Sequence, residues 1–276
     1  MRNALGRVIR NRSAVMGSAL ALFYALMLIC GALSLTPYSP IKQNPPLRLQ
    51  APDSAHPFGT DQFGRDIFSR VVRGSVNSLR IAMVAVAIAC TAGTLIGMLS
   101  GYAGGMPDTL TMRVLDIFFA FPAILLALSV VAAVGPGANS AIPAIAIVYT
   151  PIFARVARAP VLSVKQMEYI TAARAIGTSH RAILFRHILP NILAPVLVTT
   201  SLAFSWALLT EAGLSFLGLG PQPPEPSWGL MLKEGRNLAE VAPWQVIFPG
   251  LAIMGAVLAF NLLGDGLRDV FDPRLI

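Results

Sequence analysis

Asp116-Ile-Phe-Phe-Ala-Phe-Pro122-Ala-Ile-Leu-Leu-Ala-Leu-Ser-Val-Val-Ala-Ala-Val134-Gly-Pro-Gly-Ala-Asn-Ser140-Ala-Ile-Pro-Ala-Ile-Ala-Ile-Val-Tyr-Thr-Pro151-Ile-Phe-Ala-Arg155 encloses 38 residues without a charge. A helix rises about 1.5 Å per residue and roughly 20 residues cross hydrocarbon, so this stretch is too long for one span and long enough for two. Gly135-Pro136-Gly137-Ala138-Asn139-Ser140 is a turn-forming run that a continuous helix does not tolerate, and it divides the stretch. Two spans follow, over 115–134 and 141–160. The second holds Pro143 and Pro151, with Arg155 and Arg158 snorkelling from its end.

Four further gaps between charges have span length. Arg12 to Lys42 encloses 29 uncharged residues, Arg80 to Asp108 encloses 27, and Arg186 to Glu211 and Glu240 to Asp265 enclose 24 each. They predict helices over 13–35, 78–101, 191–212 and 243–264, six in all. Composition agrees: the 276 residues are 55% hydrophobic and 12% charged, with a mean hydropathy of +0.67. A soluble domain carries about 25% charged residues, so there is too little charge here to coat a globule in water. The runs show no alternation of period two, which excludes a transmembrane barrel. The fold class expected is therefore all-α integral membrane. A segment 1–77, with the first helix and the first outside stretch, precedes a segment 78–276 that holds five helices.

Charge also orients the chain. With both ends in the cytoplasm, the inside segments carry 13 Lys and Arg and the outside segments 8. Basic residues favour the inside, so both termini are expected to be cytoplasmic, and the net charge of +8 reads as a topology signal. Nucleic-acid binding would want basic residues on one wet face with aromatics interleaved, a pattern missing here. The basic start (Arg2, Arg7, Arg10, Arg12) and small Ala32 and Ser34 resemble a signal peptide. A run of about 23 apolar residues exceeds a signal core of 7 to 15, so the helix is expected to be retained. Cys30 and Cys90 fall inside spans and read as packing residues rather than a disulfide.

Several chemistries find no residues. No GxxxxGK[ST] occurs, and the three lysines (Lys42, Lys165, Lys233) never follow a glycine, so the chain has no P-loop of its own. His56, His180 and His187 are scattered, without HExxH, a Cys/His cluster or a GxSxG elsewhere, so no catalytic residue and no metal ligand is assigned. Ion-coupled carriers keep charges near mid-membrane. The predicted span centres have none, and Asp116 and Glu211 fall at helix ends, where their cost is small. If the chain moves a solute, the free energy comes from another chain.

The largest inside loop is the specific feature. It reads Pro160-Val-Leu-Ser-Val-Lys-Gln-Met-Glu168-Tyr-Ile-Thr171-Ala-Ala-Arg174-Ala-Ile-Gly177-Thr-Ser-His-Arg-Ala-Ile-Leu-Phe-Arg-His187-Ile-Leu189-Pro190-Asn191. Gln166 to Ile176 is a good helix former, Gly177 stops or bends it, Arg181 to Ile188 can form a second short helix, and Pro190 opens the next span. The pattern resembles the EAA loop of permease subunits of bacterial ABC importers: EAA, three residues, Gly, nine residues, Ile, one residue, Leu-Pro. Ala172, Ala173, Gly177, Leu189 and Pro190 match. Thr171 stands in place of Glu and His187 in place of Ile, and Glu168 lies one turn earlier.

Further stretches are similar to one branch of that family, the C-type permeases of dipeptide, oligopeptide and nickel importers. They are His56-Pro-Phe-Gly-Thr-Asp-Gln-Phe-Gly-Arg-Asp-Ile-Phe-Ser-Arg70, Asp116 to Pro122, Glu211-Ala-Gly-Leu-Ser-Phe-Leu-Gly-Leu-Gly220, Ser227-Trp-Gly229, and Asn261-Leu-Leu-Gly-Asp-Gly-Leu-Arg-Asp-Val-Phe-Asp-Pro273. The resemblance implies the type I importer permease fold, with 78–276 as its core, in a bacterial inner membrane. It implies half of a translocation path for peptides, with nickel, glutathione or another small solute as alternatives. Its partners would be a second permease, one or two ATPase subunits carrying ATP and Mg, an outside solute-binding protein and membrane lipid. Glu168, Thr171, Ala172, Ala173, Arg174, Gly177, Leu189 and Pro190 would form the ATPase-coupling loop. The bare alternative is an amphipathic helix resting on anionic headgroups through Arg174, Arg181 and Arg186. An ATP-independent secondary carrier is the reading from a different class.

Four smaller features complete the reading. Gly93, Gly97 and Gly101 recur every four residues, a spacing that lets helices pack closely in lipid. Thr199, Trp206 and Thr210, with Ser201 and Ser205 nearby, fall near one face of their helix and read either as path-lining or as interhelical hydrogen-bonding residues. The proline-rich outside loops 36–77 and 213–242 are stiff connectors or, by the resemblance, part of a surface receiving a binding protein. Arg65 and Asp66 read as internal salt bridges or caps.

Overall fold

A computed structural model describes residues 12–271. The basic start at Arg2, Arg7 and Arg10 and the final residues Asp272 and Pro273 lie outside the described residues, so neither terminus bears on the expected orientation. Among the described residues the chain is helical, with one isolated bridge between Thr60 and Asp66. The helices are α1 (Arg12–Ala32), α2 (Ile67–Ala103), α3 (Gly105–Phe119), α4 (Ala123–Val134), α5 (Ala138–Val164), α6 (Glu168–Ala175), α7 (His180–Phe216), α8 (Trp228–Gly235) and α9 (Trp244–Phe271). Five of them are long and apolar enough to cross a membrane, or six crossings if the bent pair α3 and α4 counts as one.

The centre of the bundle is the packing of α2 against α5, with α7 against both; α9 packs on α7, and α1 lies outermost against α9 and α2. Ile81, Ala82, Ala85, Ala89, Phe153, Ala157, Ala203, Ala207 and Leu208 are fully buried there. The small residues matter, because lipid tails are as apolar as leucine and helices associate in a bilayer through close van der Waals contact.

Two of the predicted spans and one expected loop helix differ from the observed helices. The span expected over 78–101 begins at Ile67, so that α2 runs through the position drawn between segments 1–77 and 78–276. Asp66 caps it by accepting from the Ser69 N–H at 2.7 Å, a bond of the kind worth about 1 kcal/mol. The extra turns carry Arg70 and Arg73, which find acidic partners in distant segments rather than marking a loop. The span expected over 115–134 is two helices meeting at 90°. Pro122 has no N–H to give, and its ring disfavours helical backbone at Phe121, so the helix ends at Phe119 and restarts at Ala123. The second short helix expected over 181–188 is not separate. Ile183–Ile188 is a π-helical turn continuous with α7, and Pro190 sits in the first turn of its α-helical part, where a missing N–H costs little.

Glu211 also departs from expectation. It lies more than a turn inside α7 and is fully buried, accepting a hydrogen bond from Ser215 Oγ at 2.6 Å. The 24-residue gap in charge made it look like a helix end; α7 continues to Phe216 because Ala212, Leu214 and Ser215 are themselves buried against the bundle.

Candidate functional site

The loop between α5 and α7 is built around α6. Glu168 lies in its first turn and Arg174 in its last, each placed favourably for the helix dipole. Ile170 and Ala173 are buried beneath the helix, whereas Thr171, Ala172, Arg174 and Ile176 are exposed. Ile176, just beyond its end, is 83% exposed.

Gly177 ends α6 with φ +79°, in the left-handed region. Its N–H donates to Arg174 O at 3.0 Å, and the Thr178 N–H donates to Ala173 O at 3.0 Å, the paired bonds of a Schellman turn. Ser179 Oγ then accepts from Ala182 N at 3.3 Å and starts α7. The turn is tied to α2, because Tyr102 Oη lies 2.7 Å from His180 Nδ1 and the Arg174 guanidinium sits 5.2 Å from the Tyr102 ring centre. Lys165 Nζ donates to Gly101 O at 2.7 Å on the other side. Glu168 to Gly177 thus form one compact ridge. Leu189 and Pro190 belong to the base of α7 instead, where Asn191 Nδ2 donates to His187 O at 2.6 Å.

The path of a displacement from this ridge into the bundle runs through α2 and α5. A Cβ placed on Gly93 would stand 2.4 Å from Thr150 O, and one on Gly97 2.0 Å from Ala154 O, so backbone meets backbone there. Gly101 is less tight, 3.2 Å from Arg158 Cγ. The residues read as sharing a face of span five separate. Trp206 is 43% exposed, and Thr199 is half-buried with its hydroxyl donating to Pro195 O at 2.8 Å. Thr210 turns inward, 2.9 Å from Tyr149 Oη on α5 and 2.9 Å from Trp206 O, because α7 packs on α5 at that level. Ser205 Oγ donates to Val257 O on α9 at 3.1 Å. Cys30 and Cys90 are free thiols.

Arg65 and Asp66 do form an internal salt bridge and a cap, as read from the sequence, but within a buried charge cluster at the opposite end whose distant members the sequence did not reveal. Arg65 Nε lies 2.6 Å from Asp61 Oδ2, and Arg65 and Arg70 both reach Glu234 Oε2 on α8, at 3.0 and 2.8 Å. His56 Nδ1 lies 2.9 Å from Asp66 Oδ1. Only the spacing of Asp61 and Arg65 was a local signal; Glu234 is 169 residues from Arg65. The cluster, with Trp228 Nε1 donating to Val71 O at 2.9 Å and Trp244 Nε1 to Thr60 O at 3.0 Å, locks the segment before α2 onto α8 and α9. Removing one partner of a buried ion pair costs about 3 kcal/mol or more. Arg70→Met is therefore expected to lower the thermal midpoint of the purified protein, and Arg70→Met with Glu234→Leu to lower it by less than the two single changes together. An unchanged midpoint in Arg70→Met would show the cluster to be energetically idle.

No group of three or more His, Cys, Asp or Glu side chains that could hold a metal ion occurs among the described residues.

Comparison with known proteins places this geometry. Residues 93–276 match the family described as "Binding-protein-dependent transport system inner membrane component". The chain is 47% identical to the dipeptide transport system permease protein DppC of Alkalihalophilus pseudofirmus, over 99% of this chain and 90% of that one. It is 49% identical to the glutathione transport system permease protein GsiD of Pectobacterium atrosepticum, over 82% of this chain and 75% of that one. Among solved structures it resembles a chain of the inward-facing MetNI methionine ABC transporter, with a TM-score of 0.59 and 18% identity, over 75% of this chain and 98% of that one. At that identity the likeness concerns the fold.

Proposed function

The chain belongs to the inner-membrane components of binding-protein-dependent transport systems, the permease subunits of ABC importers, and on that footing we propose that it forms half of a translocation path for di- and oligopeptides. The observation that carries the solute class is 47% identity along almost the whole chain to a dipeptide permease. A second reading, glutathione, rests on 49% identity to a glutathione permease; glutathione is itself a small peptide, so the two differ in selectivity rather than chemistry. Competition decides between them: uptake of a radiolabelled dipeptide by cells carrying the intact system should be suppressed by unlabelled dipeptides. Suppression by glutathione alone would shift the assignment.

In this reading the chain is non-catalytic. It pairs with a different permease subunit, its termini lie in the cytoplasm, and an outside solute-binding protein delivers the solute to the surface formed by 36–77 and 213–242. One or two ATPase subunits, holding ATP and Mg, receive Glu168, Thr171, Ala172, Arg174 and Gly177 in a groove, and the buried Ala173 seats that ridge on the bundle. The exposed face of α6, with Ile176 at its end, supplies an apolar contact, while Leu189 and Pro190 fix the start of α7. Closure of the ATPase pair then moves α2, α5 and α7 as packed rigid bodies, since Gly93, Gly97 and Gly101 seat α2 on α5 without slack. Residues 78–276 act as the core and 1–77 as an added helix and outside segment.

Of the three residues read as path-lining, the exposed Trp206 and half-buried Thr199 mark a wall of the path along α7, while Thr210 is turned onto α5. Cysteine at Trp206 is expected to react with a water-soluble thiol reagent in a background lacking Cys30 and Cys90, and cysteine at the buried Thr210 to be slower. Protection at Thr199, Trp206 and Thr210 alike would remove α7 from the wall.

A further inference from the structure

The elbow between α3 and α4 breaks two rules for a surface that faces lipid. Ala120, Phe121 and Pro122 leave the helix and are exposed. The elbow lies between the ends of its neighbours: Ile124 Cδ1 is 3.0 Å from where a Cβ of Gly213 would stand inside α7, and Gly137, beyond the far end of α4, donates to Leu219 O at 3.1 Å. The 15 residues of α3, which start beside Lys165, rise only about 22 Å, short of the ~30 Å of hydrocarbon, so the elbow falls within the membrane. Non-helical backbone at that depth is tolerated only where protein buries it or water reaches it.

The second rule concerns charge. Asp116, one turn before the elbow, pairs with Arg155 on α5, and their side chains are 55% and 48% exposed. An open ion pair against lipid is costly. A dry protein surface suits it little better, because among the described residues Arg155 hydrogen-bonds only to Asp116, with its guanidinium carbon 3.9 Å from the Phe119 ring centre. The other guanidinium N–H groups, of five in all, ask for water. By contrast, Asp108 and Arg158, next along the same two helices, meet in a two-bond contact at 2.6 Å each that is partly buried and self-sufficient.

We propose that the α3–α4 elbow lines a water-filled stretch of the translocation path, with Ile117, Phe121 and Leu125 on its wall and Asp116 and Arg155 keeping it wet. The proposal rests on the transport reading and adds a stretch of the wall at the level of Gly213, toward the end of α7 away from the coupling loop.

Single cysteines at Ile117, Phe121 and Leu125, in the background free of Cys30 and Cys90, test it in membranes holding the whole complex. A charged, membrane-impermeant thiol reagent should label them on the order of ten times faster than cysteine at Leu22, which is 61% exposed on the outermost helix. ATP hydrolysis by the cysteine-free parent complex is measured alongside. Labelling no faster than at Leu22 in all three variants, with ATP hydrolysis intact, overturns the proposal, since lipid or a packed partner then covers the elbow and the transport reading stands. A parent complex without ATP hydrolysis overturns the transport reading and the proposal with it. Three positions are read independently, so failure of one variant to insert leaves the other two to decide.

Discussion

Gly97→Leu is expected to abolish accumulation of the folded chain in the membrane. A Cβ at residue 97 would stand 2.0 Å from Ala154 O, and the obstacle is backbone, which cannot swing aside as a flexible side chain does. The two helices must separate, and the fully buried Phe153, Ala154 and Ala157 on α5 lose contact together. Overpacking a well-filled site costs about 1–3 kcal/mol for small insertions. Gly97→Ala is therefore expected to insert with a lowered thermal midpoint, and Gly97→Leu, with three more carbons in the same space, to be degraded or to elute as aggregate. Gly250 is the internal control: it is also helical and has open space around it, so Gly250→Ala should leave the midpoint within the measurement's scatter. A normal elution profile for Gly97→Leu would contradict the close approach of α2 and α5.

Gly177→Leu is expected to do the opposite, leaving the chain inserted while transport is lost. Space is no obstacle, since nothing lies within 4 Å of a Cβ there. Conformation is, because φ is +79° and left-handed backbone costs a residue with a Cβ about 1–2 kcal/mol. That is small beside the packing of the helix bundle and large for one exposed turn, so the strain is relieved locally. The Schellman bonds to Arg174 and Ala173 break, and α6 loses the angle at which it presents Thr171, Ala172 and Ile176. At equal membrane levels, solute uptake should fall at least tenfold, the effect of about 1.4 kcal/mol lost from a docking equilibrium, and less ATPase should be retained on isolation. Gly177→Asn, which tolerates left-handed backbone better, should keep much of the uptake. Unchanged uptake in Gly177→Leu would remove the coupling role from this turn.

The bundle is largely legible in the order of residues because a membrane demands about 20 apolar residues in a row for each crossing. What escaped has a physical cause in each case. The elbow at Pro122 lies inside an unbroken uncharged run from Ile117 to Val134, so hydropathy passed over a bend that proline chemistry imposes. The start of α2 was hidden because Arg70 and Arg73 look like loop charges until Glu234 and Glu225, more than 150 residues away, come alongside. Thr210 shares a face with Trp206 by spacing, yet Tyr149 on another helix claims its hydroxyl. The glycines are the reverse case. Their period of four is visible in the sequence, but the partner helix that makes the spacing necessary is a property of the fold.

Affinity isolation of the tagged chain from its native membrane in mild detergent, with mass spectrometry of the co-isolated chains, tests the central claim. The account predicts a second permease subunit and one or two ATPase subunits at stoichiometric levels, with the ATPase subunits depleted and the second permease retained in Gly177→Leu. A chain that is isolated alone, and that moves solute across liposomes without ATP, would contradict it.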